Sequence, residues 1–374
     1  LTITFTMSLS EYLPRLGQIS VIIEIPNGHN ALKRLALEDA HLILETVKKD
    51  FVENADLSLS KPGSRQLIKV PLPIDDKKRL IGAKATKIAI EDSAIHITLL
   101  LENSHQKMAV TPFTGLTNSN GVWSVDDLLK KTPRNEQNVS QFQFTCAGCD
   151  SIILDSNLHK FVDMPLEYWH EMMDFWHCHK PHEDHHDIND KNYNGKLNPK
   201  PGFVHVGTYY ILVPLRSETC DLCGHTLGKT DGALKINKWD LHLQYAGKTE
   251  TYQPYTFVYF ALLDRVNASG VRKFTVRLAG SALAYNVWVT SVGLDVSLNN
   301  KFLKQCLKLL YVKQEDAKDD DVLEIQAEVW ESLELYFADI NALLPRTTQR
   351  VDIKDGDIYR NYNVCYLAPH HEIA

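Results

Sequence analysis

Two short cysteine pairs, Cys146-Ala-Gly-Cys149 and Cys220-Asp-Leu-Cys223, constrain this chain more than any other feature of its sequence. Two intervening residues let both sulfurs of a pair reach one cation, and Gly224 after the second pair supplies a tight backbone turn. Together the pairs make a tetrahedral thiolate set suited to zinc. With four protein ligands no coordination position is open to water, so such an ion serves structure and not hydrolysis. The 70 residues 150–219 separate the pairs, far more than the ~15–20 of a compact finger. The fold itself must therefore bring them together. The alternative is four ordinary thiols, buried or on the surface. The chain has seven cysteines, an odd number, and in a reducing compartment close pairs favour a metal over disulfides.

The length of 374 residues accommodates two or three domains, or one large domain carrying an insertion, and 44% hydrophobic with 23% charged residues predicts a folded chain with a substantial core. A formal net charge of −7 offers no electrostatic attraction to polyanions, so direct nucleic-acid binding is not expected. The longest apolar runs, such as Ile95–Leu101, fall well short of the ~20 residues of a spanning helix. Leu1–Ser10 lacks the basic start and apolar stretch of a secretory leader, which predicts residence in the nucleus and cytoplasm.

Apolar alternation in Gln18–Ile25, His41–Thr46, Gln66–Leu72 and Lys87–Leu101 predicts strands, the last folded into a hairpin at Glu91–Ser93. Ser124 followed by Asp127 predicts a capped helix through Lys131. Strand patterns return at Val204–Pro214, Lys235–Gln244, Tyr255–Leu263 and Phe274–Val296. Two amphipathic helices are expected near the C-terminus, one over Phe302–Tyr311 and one from about Val322 to Leu343, the second with Asp321 as N-cap and Pro345 beyond its end. The expected fold is α+β and β-rich. It comprises an N-terminal antiparallel sheet region over 1–133, a zinc-bearing insert over 134–230 with a polar loop near 180–201, and a C-terminal region over 231–374 of strands plus the two helices.

Between the knuckles lies a segment rich in Trp and His. Leu166, Trp169, Met173 and Trp176 recur at helical spacing, and Cys178 stands between His177 and His179. A neighbouring imidazolium lowers a thiol's pKa, which makes Cys178 a candidate nucleophile, though it or His179 could equally serve as a replacement metal ligand. His182, His185 and His186 fall in the polar loop, where weak adventitious metal binding is expected. Cys306 reads as a core residue. Cys365, alternating with apolar neighbours in Tyr362–Leu367, reads as a packed strand thiol whose exposure decides any role in catalysis. No phosphate-cradling glycine loop, dinucleotide fingerprint, nucleophile elbow or His-Glu-x-x-His motif occurs, so nucleotide and metallohydrolase chemistry are not expected.

The ordered set Glu11–Gly17 (EYLPRLG), Cys146-x-x-Cys149, Trp169–His179, Val206-Gly207, Cys220-x-x-Cys223 and Phe274–Trp288 (FTVRLAGSALAYNVW) resembles the E2-binding, HECT-like ubiquitin-ligase family over nearly the whole chain. Within it the resemblance is to the fungal branch concerned with messenger-RNA cleavage and polyadenylation. The resemblance implies a ubiquitin-conjugating E2 enzyme as partner and association with the endonuclease subunit of the pre-mRNA 3′-end processing machinery. It also raises E3 ubiquitin-protein transfer as an activity. Ordinary HECT ligases carry their acceptor cysteine near the C-terminus in a recognisable loop; here Cys365 occupies that region without the surrounding pattern, leaving Cys178 and Cys365 as catalytic candidates. A zinc-stapled chaperone or assembly factor for the endonuclease, with no enzymatic activity, fits the same residues.

Overall fold

Alternation along the strand Gln18–Glu24 sends Ile19, Val21 and Ile23 to one face, where all three are fully buried. That period-2 pattern builds most of the molecule. The computed structural model describes residues 2–3, 6–14, 16–25, 31–47, 65–74, 80–91, 93–101, 122–164, 199–315, 321–355 and 358–369. The chain separates into two compact units, one formed by Leu1–Val110 with Phe257–Ala374 and the other by Thr111–Thr256. The second unit takes in the strands Ala233–Asn237, Leu241–Tyr245 and Lys248–Thr251, which lie beyond the 230 boundary drawn from composition.

The first unit holds a ten-stranded sheet. Its strands run in the order Arg350–Asp355, Ile358–Leu367, Lys301–Glu315, Leu283–Leu298, Ser8–Leu13, Gln18–Glu24, Ala94–Leu100, Lys84–Glu91, all antiparallel to their neighbours. Lys273–Leu278 pairs with Leu283–Leu298, and Val322–Ile325 adds to it in parallel. A smaller sheet, Thr2–Ile3, Arg65–Pro71, His41–Val47 and Ala31–Glu38, packs Leu42, Leu44, Ile68 and Val70 into one core with Ile19, Val21, Ile95 and Ile97. A polar triad with Glu11 and Tyr366 buried and Lys308 half-buried joins three strands of the large sheet. Glu11, 7% exposed, accepts from the Tyr366 hydroxyl at 2.6 Å and from the Lys308 ammonium at 2.8 Å.

The expected hairpin at Glu91–Ser93 joins Lys84–Glu91 to Ala94–Leu100. Three expectations in the C-terminal half are corrected. The segment Phe302–Tyr311 is not a helix but part of the strand Lys301–Glu315. Gln305 adopts φ 55°, and the register shifts where Leu294 and Val296 face Cys306 and Leu303. This bulge inserts an extra residue, so Leu303 and Cys306 fall three apart, and with both faces of the strand covered at Cys306, Leu307, Leu309, Leu310 and Tyr311 the apolar residues imitate a helical face. Conversely, the run Tyr255–Leu263, expected as a strand, falls from Thr256 onward in the helix Thr256–Ser269, which buries Val258, Tyr259, Leu262, Leu263 and Val266. The helix expected from Val322 starts later, at Ala327, and runs to Ala342 with Gln326 and not Asp321 at its N-cap; Val322–Ile325 is a strand. On its buried face Trp330 stacks on Tyr285 at 4.8 Å and Phe337 on Tyr311 at 4.2 Å.

The second unit contains two sheets. One has the order Ile152–Asp155, Gln143–Cys146, Leu241–Tyr245, Lys248–Thr251; the other Lys160–Asp163, Phe203–Val206, Tyr210–Val213, Ala233–Asn237, Gly228–Asp231. They enclose one core in which Trp123 packs on Phe144 and Tyr252 and which reaches Cys146 and Cys220. The expected helix is present as Val125–Lys131, and the Ser124 hydroxyl accepts from the Asp127 N–H at 3.2 Å. Most of the polar loop expected near 180–201, and the whole Trp169–His179 segment, lie outside the described residues.

Candidate metal centre

Both cysteine pairs sit on knuckles made by the same backbone device. The strand Gln143–Cys146 ends at Cys146, the chain turns back so that the Asp150 N–H donates to the Cys146 carbonyl at 2.8 Å, and the Gly148 N–H donates to the Cys146 sulfur at 3.3 Å. In the second knuckle the Cys220 sulfur accepts from the Leu222 and Cys223 N–H groups, and the Gly224 N–H donates to the Cys220 carbonyl at 2.9 Å. Gly224 has φ 73°, the left-handed conformation that closes the turn and that a side chain disfavours.

The fold brings the two knuckles face to face. Cys146 Sγ lies 3.7 Å from Cys223 Sγ, Cys149 Sγ lies 3.7 Å from Cys220 Sγ, and all four sulfurs fall within 4.8 Å of one another. Sulfurs bound tetrahedrally at ~2.3 Å from a zinc ion are about 3.8 Å apart, so the donor set and its spacing fit a four-thiolate ion. Cys146, Cys149, Cys220 and Cys223 could thus hold one metal, as the spacing in the sequence predicts. Burial pushes the Cys146 thiol up to about 12, whereas the Ser151 hydroxyl, aided by the Cys223 and Leu222 N–H groups, brings Cys220 down to about 6.

Three further residues surround the sulfurs. The Ser151 hydroxyl lies 3.2 Å from both the Cys149 and Cys220 sulfurs. His225, directly after Gly224, has its Nε2 3.2 Å from Asp240 Oδ1, while the Asp240 carbonyl accepts from the Ala147 N–H at 3.0 Å. Asp240 therefore ties the first knuckle through its backbone and the second through its side chain. Outer-shell contacts of this kind orient metal ligands. The position of His225 two residues beyond Cys223 was the one available clue.

Lys238 is a second feature that the sequence conceals. It is completely buried, and its ammonium donates to the Val122 carbonyl at 2.7 Å and the Thr208 carbonyl at 3.1 Å. Burial pulls its pKa down to about 7 despite the opposing fields of Asp163 and Asp127. The folded chain then releases this proton well below the usual value of 10.5, so stability is gained as pH rises through the window between about 7 and 10.5. Wild-type unfolding free energy is expected to climb relative to Lys238→Met by up to about 1.4 kcal/mol per pH unit above pH 7. Denaturant titrations between pH 7 and about 9 check this, and a difference that stays constant with pH rules it out.

The remaining cysteine positions are plain. Cys306 and Cys365 are both fully buried, and burial raises both thiols well above their ordinary value. Cys365 therefore lacks the exposure that a nucleophile requires and is the packed strand thiol of the alternative reading. Cys178 lies outside the described residues. Among the described residues, no helix is long and apolar enough to cross a membrane.

Fold and site together define a β-rich protein of two units with a four-cysteine centre capable of holding a metal. Residues 11–354 match the HECT-like ubiquitin-conjugating enzyme (E2)-binding family, and the chain belongs to that family. The uncharacterized protein YJR141W of Saccharomyces cerevisiae is 26% identical over 317 residues, which cover 80% of this chain and 82% of the yeast protein. No solved structure matches this chain.

Proposed function

We propose that this protein is a zinc-stapled binding partner of a ubiquitin-conjugating E2 enzyme and acts in pre-mRNA 3′-end cleavage and polyadenylation through the processing endonuclease, in nucleus and cytoplasm. Membership of an E2-binding family, with a match that spans both cysteine knuckles, is the observation that carries the E2 part. The choice of zinc rests on four sulfurs at tetrahedral spacing. Bound there, zinc supplies no chemistry beyond cross-linking the two knuckles. The endonuclease part is supported by the resemblance of the chain, through its ordered set of motifs from Glu11–Gly17 to Phe274–Trp288, to the fungal branch.

The burial of Cys365 favours the second reading, a scaffold or assembly factor that holds its partners without taking ubiquitin onto that thiol. Incubating the protein with ubiquitin-charged E2 and running a non-reducing gel separates the readings. Cys365→Ala is expected to leave any reducible ubiquitin adduct unchanged. An adduct abolished by Cys178→Ala makes the protein a transferase with Cys178 as acceptor. Absence of an adduct, with tight co-purification of E2 and endonuclease, supports the scaffold. A chain that binds neither partner sinks the proposal.

A further inference from the structure

Three large apolar side chains stand in solvent on the very segments that build the cysteine centre. Ile152 is 58% exposed, Leu215 69% and Leu222 74%. Leu222 lies inside the second knuckle, where its N–H is turned toward the Cys220 sulfur. Ile152 directly follows Ser151, whose hydroxyl touches the Cys149 and Cys220 sulfurs. Leu215 directly precedes Arg216, whose guanidinium donates to the Ile153 carbonyl at 3.2 Å. The three segments are thus tied to one another around the four sulfurs. Burial of apolar side chains stabilises a fold, and this unit leaves that stabilisation unused at all three. Three large apolar side chains on segments braced by one centre are available as contacts to a partner.

The rim has one sign of charge at its most exposed points. Asp150, Glu218 and Asp221 are all exposed beside these segments, and four thiolates around a divalent cation add further net negative charge. A partner matched to this surface presents an apolar patch flanked by Lys or Arg. The partner class printed for the family is an E2 enzyme. We propose that the E2 docks on the apolar rim of the cysteine centre, with Ile152, Leu215 and Leu222 as its contacts, so that the metal holds an interaction platform in shape. This inference rests on the E2-binding reading above and adds where the E2 sits.

The test uses the full zinc-loaded chain and the purified set of Saccharomyces cerevisiae E2 enzymes, with binding read by calorimetry or interferometry. Leu222→Asp and Leu215→Asp are expected to weaken the E2 that binds wild type by about tenfold or more, with metal content and thermal transition unchanged. Leu215 lies outside both knuckles, so its variant keeps the test decisive if Leu222→Asp loses metal. The comparison surface is the edge strand Lys84–Glu91, where Ile88 is 46% exposed; Ile88→Asp is expected to bind as wild type does. Wild-type affinity should also fall as salt rises, since the flanking charges are solvent-exposed. Variants at 215 and 222 that bind within about twofold of wild type overturn the docking surface while leaving E2 binding intact. Wild-type chain that binds none of the enzymes overturns the E2 reading and this inference with it.

Discussion

Replacing Cys146 or Cys220 by serine is expected to release the metal and melt the Thr111–Thr256 unit at a much lower temperature than wild type. The four sulfurs lie within 4.8 Å of one another and belong to knuckles separated by residues 150–219. Without an ion, Cys146 stays a thiol to about pH 12 because of its burial. It becomes a thiolate when a cation supplies the compensating charge. Structural zinc sites contribute apparent free energies of about 10–16 kcal/mol in small zinc-finger peptides, comparable to a domain's whole net stability of ~5–15 kcal/mol. Here the unit has a core of its own around Trp123, Phe144, Leu241 and Leu243, which softens the collapse without cancelling it. Metal analysis should find about one zinc per wild-type chain and none in the variants. Calorimetry with a chelator should reproduce the variants' transition in the wild-type chain. Purified protein without stoichiometric metal, melting identically with and without chelator, removes the claim.

The second large effect concerns Glu11. Its carboxylate is held by Lys308 at 2.8 Å and Tyr366 at 2.6 Å, so the strands Ser8–Leu13, Lys301–Glu315 and Ile358–Leu367 share one buried charge. Lys308→Met leaves that carboxylate facing a single phenol, and removing one partner of a buried pair costs about 3–5 kcal/mol. The Lys308 side chain is 29% exposed, so the lower end of that range is expected. Glu11→Leu should cost a comparable amount by leaving both donors unmatched. The double variant should lose less than the sum of the two, because the pair is replaced and not broken. Urea unfolding of the four proteins measures the cycle. Strictly additive losses would show that the three groups do not act together.

What could be read from the residues tracks how local the determining physics is. The cysteine centre was legible because a two-residue gap between thiols has few uses besides a shared cation. The strands Gln18–Glu24 and His41–Val47 and the capped helix Val125–Lys131 were legible because alternation and the Ser124 cap act within a few residues. Phe302–Tyr311 misled because the bulge at Gln305 comes from pairing with the preceding strand Leu283–Leu298, and the apolar spacing of the segment alone does not contain the cause. Lys238 was invisible for a related reason: lysine is rarely buried, and its carbonyl partners at Val122 and Thr208 lie 116 and 30 positions away. His225 and Asp240 matter through the knuckles they brace, which only the tertiary structure reveals.

The pairing of Leu9 with Leu298 has a consequence for biosynthesis. A ribosome delivers Ser8–Leu13 early, but its neighbour Leu283–Leu298 emerges only after the whole Thr111–Thr256 unit has left the exit tunnel. Closing so long a loop is entropically costly and slow. Cys220 and Cys223 have both emerged before that closure, so the cysteine centre can assemble while the large sheet is still incomplete. An early strand left without its neighbour for that long is an open edge, which chaperones cover or which aggregates.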